Sequence, residues 1–491
     1  MNSRLFKDIL IKYKKEWSIL IGLLLCSFFV TTNPLSLEHK ASIVLSIAIL
    51  MISWWILEAL PLAVVALIPI VAFPLLGVST INNVTKSYSD SIVFLFMGGF
   101  LIGIAIEKWN VHKRIALSII NITGTNGNKI ILGFIIATGF LSMWLSNTAT
   151  TMMMFPIAMS VIHVIGNQDT AGTNVKNFQL VLMLSIAYAS NVALGTIIGT
   201  PPNVAYVNYI SEKFNYNIGF TDWMILFTPL TIVLLFVLYW VMVKWLYPNG
   251  IKHSENGRAY INEELKKLGK LTIPEKRVLG VFVLTVFSWI FKNSINNIQK
   301  FIELDDTIIA MIGAISLFII PAGNDKTNKE ERLLTWEDTK KMAWGILILF
   351  GGGIALAKAL EEVKLMDQLG VFIASYSTEN VFIMIVIITT ISVFLSEVMS
   401  NVAQVIVMAP VISSVAIALH MDPLLLGIPM TLGASCASML PMGTPPNAIA
   451  FASGYIRIKD MIKTGFVLNV ICIIIISLFC YFLQPMIMHL K

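Results

Sequence analysis

The pentapeptide GTPPN occurs twice in this chain, at residues 199–203 and again at residues 443–447. Each copy lies inside a long apolar run, where two consecutive prolines remove two backbone donors and disfavour helix at the preceding threonine. A helix broken in this way frees carbonyl groups that can bind a cation, and the helix that restarts offers an N-terminus that favours an anion. The repeated break therefore points to a binding site with two related halves.

The composition is that of a membrane protein. Of the 491 residues, 57% are hydrophobic and 13% are charged, whereas soluble domains carry about 25% charged residues. Many runs approach the ~20 apolar residues that a spanning helix needs. We predict an all-α polytopic membrane protein whose partner is the lipid bilayer.

The cysteines and the net charge exclude other classes of protein. The four cysteines lie in apolar runs and form no CxxC pair, which argues against a disulfide framework or a zinc site. The net charge of +6 is not concentrated in a basic patch interleaved with aromatic residues outside the apolar segments. No nucleic acid partner is therefore expected.

Two apolar runs, 129–165 and 380–419, are too long for one helix. Each is interrupted by a polar cluster, SNTATT at 146–151 and SNVAQ at 400–404. Non-helical backbone at membrane depth is tolerated only inside protein or beside a cavity. The pattern therefore predicts two re-entrant hairpins, and counting each as returning to its own side leaves about 11 transmembrane helices.

The basic residues predict the orientation of the chain. Lys and Arg cluster in residues 1–15, 107–114, 252–277 and 322–341. With a cytoplasmic N-terminus, the positive-inside rule places all of these segments in the cytoplasm and the C-terminus outside. No small-residue cleavage site follows the basic N-terminus, so we expect a retained first helix. The segment 252–277 reads as an amphipathic surface helix between two halves of the chain.

The two halves are related in sequence. LFMGGFLIGIAIE at 95–107 parallels LFGGGIALAKALE at 349–361, and SNTATTMMMFP at 146–156 parallels SNVAQVIVMAP at 400–410, both at an offset of 254 positions. The GTPPN copies follow at an offset of 244. In the predicted topology the first segment runs inward and its counterpart outward, so the repeat is inverted. Inverted repeats with paired broken helices are typical of secondary transporters and place the binding site near mid-membrane.

The broken segments are nearly free of charge. Residues 142–160 contain no charged side chain, and residues 396–414 contain only Glu397. Hydroxyls, amides, helix N-termini and a bound cation can hold an anion that must be released again, whereas a fixed arginine would hold a carboxylate more tightly. Glu397 is a candidate functional residue or a partner that orients a helix. Asn203 is expected to cap the helix that restarts after the first break.

Several motifs resemble the divalent anion/sodium symporter family of dicarboxylate and sulfate carriers, from about residue 50 to the C-terminus: WWILEALPL, LFMGGF, LSMWLSNTATTMMMFPI, GTPPN, LFGGGIALAKAL, SEVMSNVA and MLPMGTPPNAIAFASG. The resemblance implies an elevator-type transporter in the bacterial plasma membrane, a homodimer, and no cofactor. It also implies a scaffold domain formed by residues 1–114 and 251–370, and a transport domain formed by residues 115–250 and 371–491.

The resemblance also implies the site residues. The residues expected around the substrate carboxylates are Asn147, Thr148, Thr200, Pro201, Asn401, Val402, Thr444 and Pro445. The residues expected around Na⁺ as coupling ion are Ser142, Ser146, Asn147 and Ala193 at one site, and Ser400 and Asn401 at its symmetry mate.

The chain departs from the family pattern in two places. Val402 stands where the pattern has a threonine, so it offers no hydroxyl to a carboxylate. Before the first GTPPN the sodium-coupled pattern reads Ser-Ile-Gly-Gly, but this chain reads SNVA at 190–193. Because glycine adopts tight unwound backbone most easily, Val192 and Ala193 favour a dicarboxylate exchanger with weak or no sodium dependence.

Three alternatives remain open at this point. The first is a sodium-coupled symporter for dicarboxylates, citrate or sulfate. An anion channel is less favoured and would need a continuous pore. An enzyme ranks last, because no HExxH, P-loop, paired catalytic aspartates or Ser/His/Asp constellation is present.

Overall fold

The computed structural model describes residues 13–124, 126–166, 173–251, 255–299, 301–323, 331–375, 377–378 and 380–488. Within these ranges the chain forms helices and no β-strand, apart from one isolated bridge between Pro321 and Arg332. The predicted all-α class is therefore confirmed. Residues 1–12, which hold part of the basic N-terminal cluster, and residues 252–254 lie outside the described residues.

The first half of the described chain contains twelve α-helices: α1 (Lys14–Thr32), α2 (His39–Ile56), α3 (Leu62–Val65), α4 (Ile68–Leu75), α5 (Ile81–Lys86), α6 (Ser91–Lys108), α7 (Val111–Thr123), α8 (Gly127–Ser142), α9 (Asn147–Gly166), α10 (Thr173–Asn191), α11 (Pro201–Phe214) and α12 (Phe220–Trp240). A π-helical turn, Val241–Leu246, extends α12. Short 3₁₀ turns lie at Ser87–Ser89 and Ile197–Gly199.

The second half contains twelve more: α13 (Glu255–Leu268), α14 (Ile273–Ile290), α15 (Lys292–Ile298), α16 (Asp306–Ile319), α17 (Trp344–Glu362), α18 (Leu365–Ala374), α19 (Val381–Leu395), α20 (Asn401–Ala418), α21 (Pro423–Ala434), α22 (Pro445–Phe451), α23 (Ile458–Phe482) and α24 (Gln484–Met488). A 3₁₀ turn at Trp336–Lys341 precedes α17.

Helix length and composition confirm a multi-pass membrane protein. The described residues contain eight helical stretches that are long and apolar enough to cross a membrane, or nine if α14 and α15, which meet at 75°, are one span. Five further apolar helices of 10–17 residues include α8, α16, α19 and α21. The expected total of about 11 crossings stays a prediction, because length does not distinguish a crossing helix from a hairpin arm.

The second hairpin folds back on itself at residues 396–400. Gln404 Nε2 in α20 donates to the carbonyl oxygen of Ser392 in α19 at 2.9 Å. Ser392 and Gln404 lie at equal distances along the chain from the break, and in a straight helix they would be about 18 Å apart. Their direct contact shows that the chain reverses direction at the break. The first hairpin, α8 and α9, breaks at residues 143–146, and its two arms are in contact.

Helix α13 packs against α7 through charged side chains. Arg114 donates to both carboxylate oxygens of Glu275, at 2.9 and 3.1 Å, and to the carbonyl oxygens of Leu268 and Gly269. Hydrogen bonds from Lys113 and Lys267 lower the pKa of Glu264 in α13. The helix expected over 252–277 is present only over Glu255–Leu268, because residues 273–277 begin α14. The Arg114–Glu275 pair joins α7 to α14, and Arg114 also binds the C-terminal end of α13.

We expect Arg114→Ala to lower the unfolding temperature of the detergent-solubilised protein, since it leaves the buried Glu275 carboxylate without its cation. Removing one partner of a buried ion pair typically costs about 3–5 kcal/mol. Lys340→Ala is the matched control, because its pair with Glu337 is 78% and 74% exposed and such pairs contribute about 0–1 kcal/mol. Equal unfolding temperatures for the two variants would contradict this role for Arg114.

Candidate functional site

The first break separates α10 from α11. Helix α10 ends at Asn191, helix α11 begins at Pro201, and the 3₁₀ turn Ile197–Gly199 lies between them. No residue from 192 to 199 has a positive φ. Val192 and Ala193 therefore adopt this backbone without the left-handed conformation that would require glycine. The physical reason for expecting weak sodium dependence does not hold.

Side chains from elsewhere satisfy the carbonyl groups that this break releases. Trp223 Nε1 donates to Leu194 O at 3.0 Å, and Thr228 Oγ1 donates to Gly195 O at 3.2 Å. Asn203 Nδ2 donates to Thr196 O at 3.1 Å. Such partners are required because buried backbone groups in an apolar environment are expensive to leave unpaired. Asn203 lies inside α11 and Thr200 occupies the N-cap position, so the expected capping role of Asn203 is wrong.

The second break, at residues 435–444, is held by one carboxylate. The backbone N–H groups of Ser438, Met439 and Leu440 donate to Glu397 at 2.7, 2.9 and 3.1 Å, and Asn469 Nδ2 donates at 2.7 Å. Glu397 is only 3% exposed. Of the two roles considered for this residue, the geometry favours the partner that orients a helix.

The two breaks have equivalent contacts. A side chain on Gly199 would place its Cβ 2.8 Å from Ala193 O and 3.3 Å from Met143 Cα. A side chain on Gly443, offset by 244 positions, would place its Cβ 3.1 Å from Glu397 Oε2, and Glu397 is the residue offset by 254 from Met143. Each hairpin tip therefore packs closely on the break of its own repeat at a glycine.

The two repeats meet at the breaks. Helix α9 of the first hairpin contacts α22, and helix α20 of the second hairpin contacts α11. Asn191 Nδ2 reaches Thr444 Oγ1 at 3.2 Å, and Ser435 Oγ lies 3.5 Å from Thr200 Oγ1. Each hairpin thus packs on the restarted helix of the other repeat, which brings the two halves of the candidate site together.

The expected site residues lie at these junctions with different degrees of exposure. The buried ones are Ser142, Ala193, Thr200, Val402 and Thr444; the half-buried ones are Ser146, Asn147, Thr148, Pro201, Ser400 and Asn401; Pro445 is exposed. Ser146 caps α9 by accepting from Ala149 N at 3.2 Å. Ser146 also borders a cavity of 70 Å³, and Ser400 borders one of 320 Å³.

Several buried oxygen atoms at the junctions have no hydrogen-bond partner among the described residues: Ser142 Oγ, Asn147 Oδ1, Thr150 Oγ1, Asn203 Oδ1, Asn401 Oδ1 and Gln404 Oε1. Buried polar atoms are normally paired, because leaving one unpaired costs about 1–3 kcal/mol. Hard cations prefer oxygen ligands of this kind. The chemistry of this set fits a cation, a hydrogen-bond-donating substrate group, or both.

Sequence reasoning missed some members of this set. Thr150, Gln404 and the amide oxygen of Asn203 were not among the expected ligands. Thr150 and Gln404 occupy equivalent positions in the two repeats, at the 254-residue offset, and each lies one helical turn beyond a hairpin tip. A polar side chain inside an apolar helix is the sequence signal that could have identified Thr150 and Gln404 as candidate ligands.

Comparisons with known proteins agree with this architecture. The family described as the sodium:sulfate symporter transmembrane region matches residues 13–490. The chain belongs to this family. Members of the sodium:sulfate symporter family are membrane transporters, so the chain is a transporter and not an enzyme.

Two relatives cover almost the whole chain. The sodium-dependent dicarboxylate transporter SdcS of Staphylococcus saprophyticus is 40% identical over 487 residues, covering 96% of this chain and 93% of the relative. SdcS of Staphylococcus aureus is 41% identical over 490 residues, covering 97% and 94%.

Two solved structures share the fold. The MtrF efflux pump of Neisseria gonorrhoeae matches with a TM-score of 0.55 at 12% identity, covering 82% of this chain and 83% of that one. The YdaH transporter of Alcanivorax borkumensis matches with a TM-score of 0.55 at 14% identity, covering 91% and 99%. At these identities the likeness concerns the fold alone.

We expect Glu397→Gln to lower the unfolding temperature, because the amide group of glutamine would face at least one of the N–H groups that now bind a carboxylate. An unsatisfied buried donor costs about 1–3 kcal/mol. Glu362→Gln is the control, since Glu362 pairs with Lys40 at the surface with a side chain 52% exposed. A Glu397→Gln protein as stable as this control would mean that Glu397 does not hold the second break.

Proposed function

We propose that this chain is a secondary transporter that moves dicarboxylates of the succinate, fumarate, malate and 2-oxoglutarate class together with Na⁺. The observation that carries the proposal is the charge of the site. The segments 138–156, 185–210, 392–410 and 430–452 form both hairpin tips and both breaks, and their single charged residue is Glu397.

A dianion that enters such a site meets a buried negative charge and no positive side chain from these segments. Charges in a medium of low dielectric interact strongly, and an isolated buried charge is expensive unless it is paired. A co-bound cation supplies the missing positive charge. The unpartnered oxygens of Ser142, Asn147 and Asn401 are the ligands that such a cation would use.

The comparisons support sodium coupling better than the exchange expected from the sequence. The relatives at about 40% identity are named sodium-dependent dicarboxylate transporters. The exchange interpretation depended on Val192 and Ala193, and their backbone angles do not require glycine. We therefore propose sodium-coupled transport, and exchange that does not depend on Na⁺ would contradict it.

We assign the roles of the site residues within this proposal. The hydroxyl groups of Thr200 and Thr444 and the amide groups of Asn147 and Asn401 bind the carboxylates, with Thr148, Pro201, Val402 and Pro445 around them. Ser142, Ser146, Asn147 and the Ala193 carbonyl surround one Na⁺, and Ser400 and Asn401 surround the other. The domain boundaries, the elevator movement, the homodimer and the orientation in the plasma membrane remain predictions.

We expect Thr200→Val and Thr444→Val each to reduce succinate uptake at least tenfold, because each removes a hydroxyl that binds a carboxylate, and a hydrogen bond to a charged group contributes about 1.5–3 kcal/mol. The matched control is Thr431→Val. Thr431 is equally buried, but its hydroxyl donates to Gly427 O in its own helix at 2.8 Å. Normal uptake by both site variants, with normal expression, would contradict the assignment.

The direct test of the function is radiolabelled succinate uptake into proteoliposomes under four conditions, with and without a Na⁺ gradient and with and without unlabelled succinate inside. Sodium-coupled transport requires uptake into empty vesicles that depends on the Na⁺ gradient. Uptake that requires internal succinate and ignores Na⁺ would identify an exchanger. Uptake that equilibrates succinate with neither requirement would indicate a channel.

A further inference from the structure

Asn191 connects the two breaks. It is the last residue of α10, in the first repeat, and is only 1% exposed. Its Nδ2 lies within hydrogen-bond distance of three oxygens of the second repeat, so its two protons are shared among them: Ala437 O at 3.0 Å, Thr444 Oγ1 at 3.2 Å and Asn447 Oδ1 at 3.1 Å. An amide nitrogen from one repeat therefore lies among acceptors of the other.

These contacts determine the direction of the Thr444 hydroxyl. Thr444 Oγ1 accepts from Asn191 Nδ2 at 3.2 Å and from Asn447 N at 3.3 Å. A hydroxyl oxygen has two acceptor positions and one proton. With both acceptor positions occupied by N–H groups, the proton of Thr444 is left to donate to a third group. The Thr444 hydroxyl is therefore oriented to donate a hydrogen bond.

The first half of the site has no such arrangement. The residue equivalent to Asn191, at the 244-residue offset, is Ser435, and its hydroxyl donates to Thr200 Oγ1 over a long distance of 3.5 Å, which occupies only one of the two acceptor positions. The Thr200 side chain accepts no capping hydrogen bond. Asn203 Oδ1, the equivalent of Asn447 Oδ1, has no partner among the described residues. The direction of the Thr200 hydroxyl is therefore not set in this way.

We propose that Asn191 is a positioning residue that fixes Thr444 as a hydrogen-bond donor, so that the second half of the site selects a carboxylate oxygen of the substrate. This inference rests on the proposed function, in which the site binds a dicarboxylate. A fixed donor favours an ionised oxygen, which only accepts, over an amide or ammonium group, which donates. The two halves of a symmetric backbone thus bind the two ends of the substrate differently.

The proposal predicts an energetic coupling between Asn191 and Thr444 that appears in substrate affinity. Asn191→Leu keeps the branched shape of the side chain, with a larger volume, and removes the donor, so Thr444 can rotate. We expect it to raise the Kd of succinate roughly tenfold, as for the loss of a well-oriented hydrogen bond to a charged group. In a Thr444→Val background there is no hydroxyl to orient, and we expect Asn191→Leu to change the Kd less than about twofold.

The experiment is this double-mutant cycle, with succinate affinity measured in saturating Na⁺ on the purified, detergent-solubilised protein. Asn191→Ser, which introduces the residue of the first repeat, is a second variant if the leucine variant does not fold. The control cycle pairs Ser435→Ala with Thr200→Val, for which we expect a weaker coupling, because the one contact between these hydroxyl groups is 3.5 Å long. The unfolding temperature without succinate reports any purely structural change.

The outcomes are distinct. A tenfold effect of Asn191→Leu in both backgrounds would show that Asn191 acts without Thr444 and would overturn the inference, as would an unchanged Kd in the wild-type background. A wild-type protein that does not bind succinate at all would instead refute the proposed function, and the inference with it. Coupling in the Asn191–Thr444 cycle that is clearly stronger than in the control cycle is the expected result.

Discussion

A helix that stops inside a membrane must find a partner for each backbone group that it releases, and the rest of this structure depends on how that requirement is met. In the second repeat, the Glu397 carboxylate accepts three consecutive N–H groups of the unwound segment. In the first repeat, Trp223, Thr228 and Asn203 bind the released carbonyl oxygens. Both breaks are thus held in place by hydrogen bonds to side chains, beside the oxygen atoms and hydroxyl groups that can contact ligands.

This solution has an electrostatic consequence. Glu397 places a negative charge in the protein interior beside segments that contain no Lys or Arg. An arginine would have bound a carboxylate substrate directly, but it would also have held it tightly. Without one, the positive charge that a dianion requires must arrive with it. Buried oxygens that have no partner among the described residues can bind a cation, so the charge of the site and the proposed coupling of transport to Na⁺ have the same physical origin.

The two repeats resemble each other more closely in backbone packing than in their side chains. Gly199 and Gly443 pack equivalently against the hairpin tips, and Asn203 and Asn447 both donate from Nδ2 to a carbonyl oxygen of their own break, at 3.1 Å. The residues that set charge and hydrogen-bond direction differ between the halves: Glu397 corresponds to Met143, and Asn191 corresponds to Ser435. A substrate with two similar carboxylates can therefore be bound by two similar half-sites that are not identical in function.

The sequence by itself determined the fold class, the internal repeat and the position of both breaks. Apolar length, the Pro-Pro pairs and the polar clusters at 146–151 and 400–404 are local signals, because they reflect the backbone's own hydrogen-bonding requirements. Only the tertiary structure decided what Asn191, Val192 and Glu397 do. The role of Asn191 depends on acceptors about 250 positions away in the chain. The backbone conformation of Val192 depends on how the break is packed. Glu397 stabilises the second break because the N–H groups of residues 438–440 donate to its carboxylate. Such contacts join distant parts of the chain, and no local pattern of residue types specifies them.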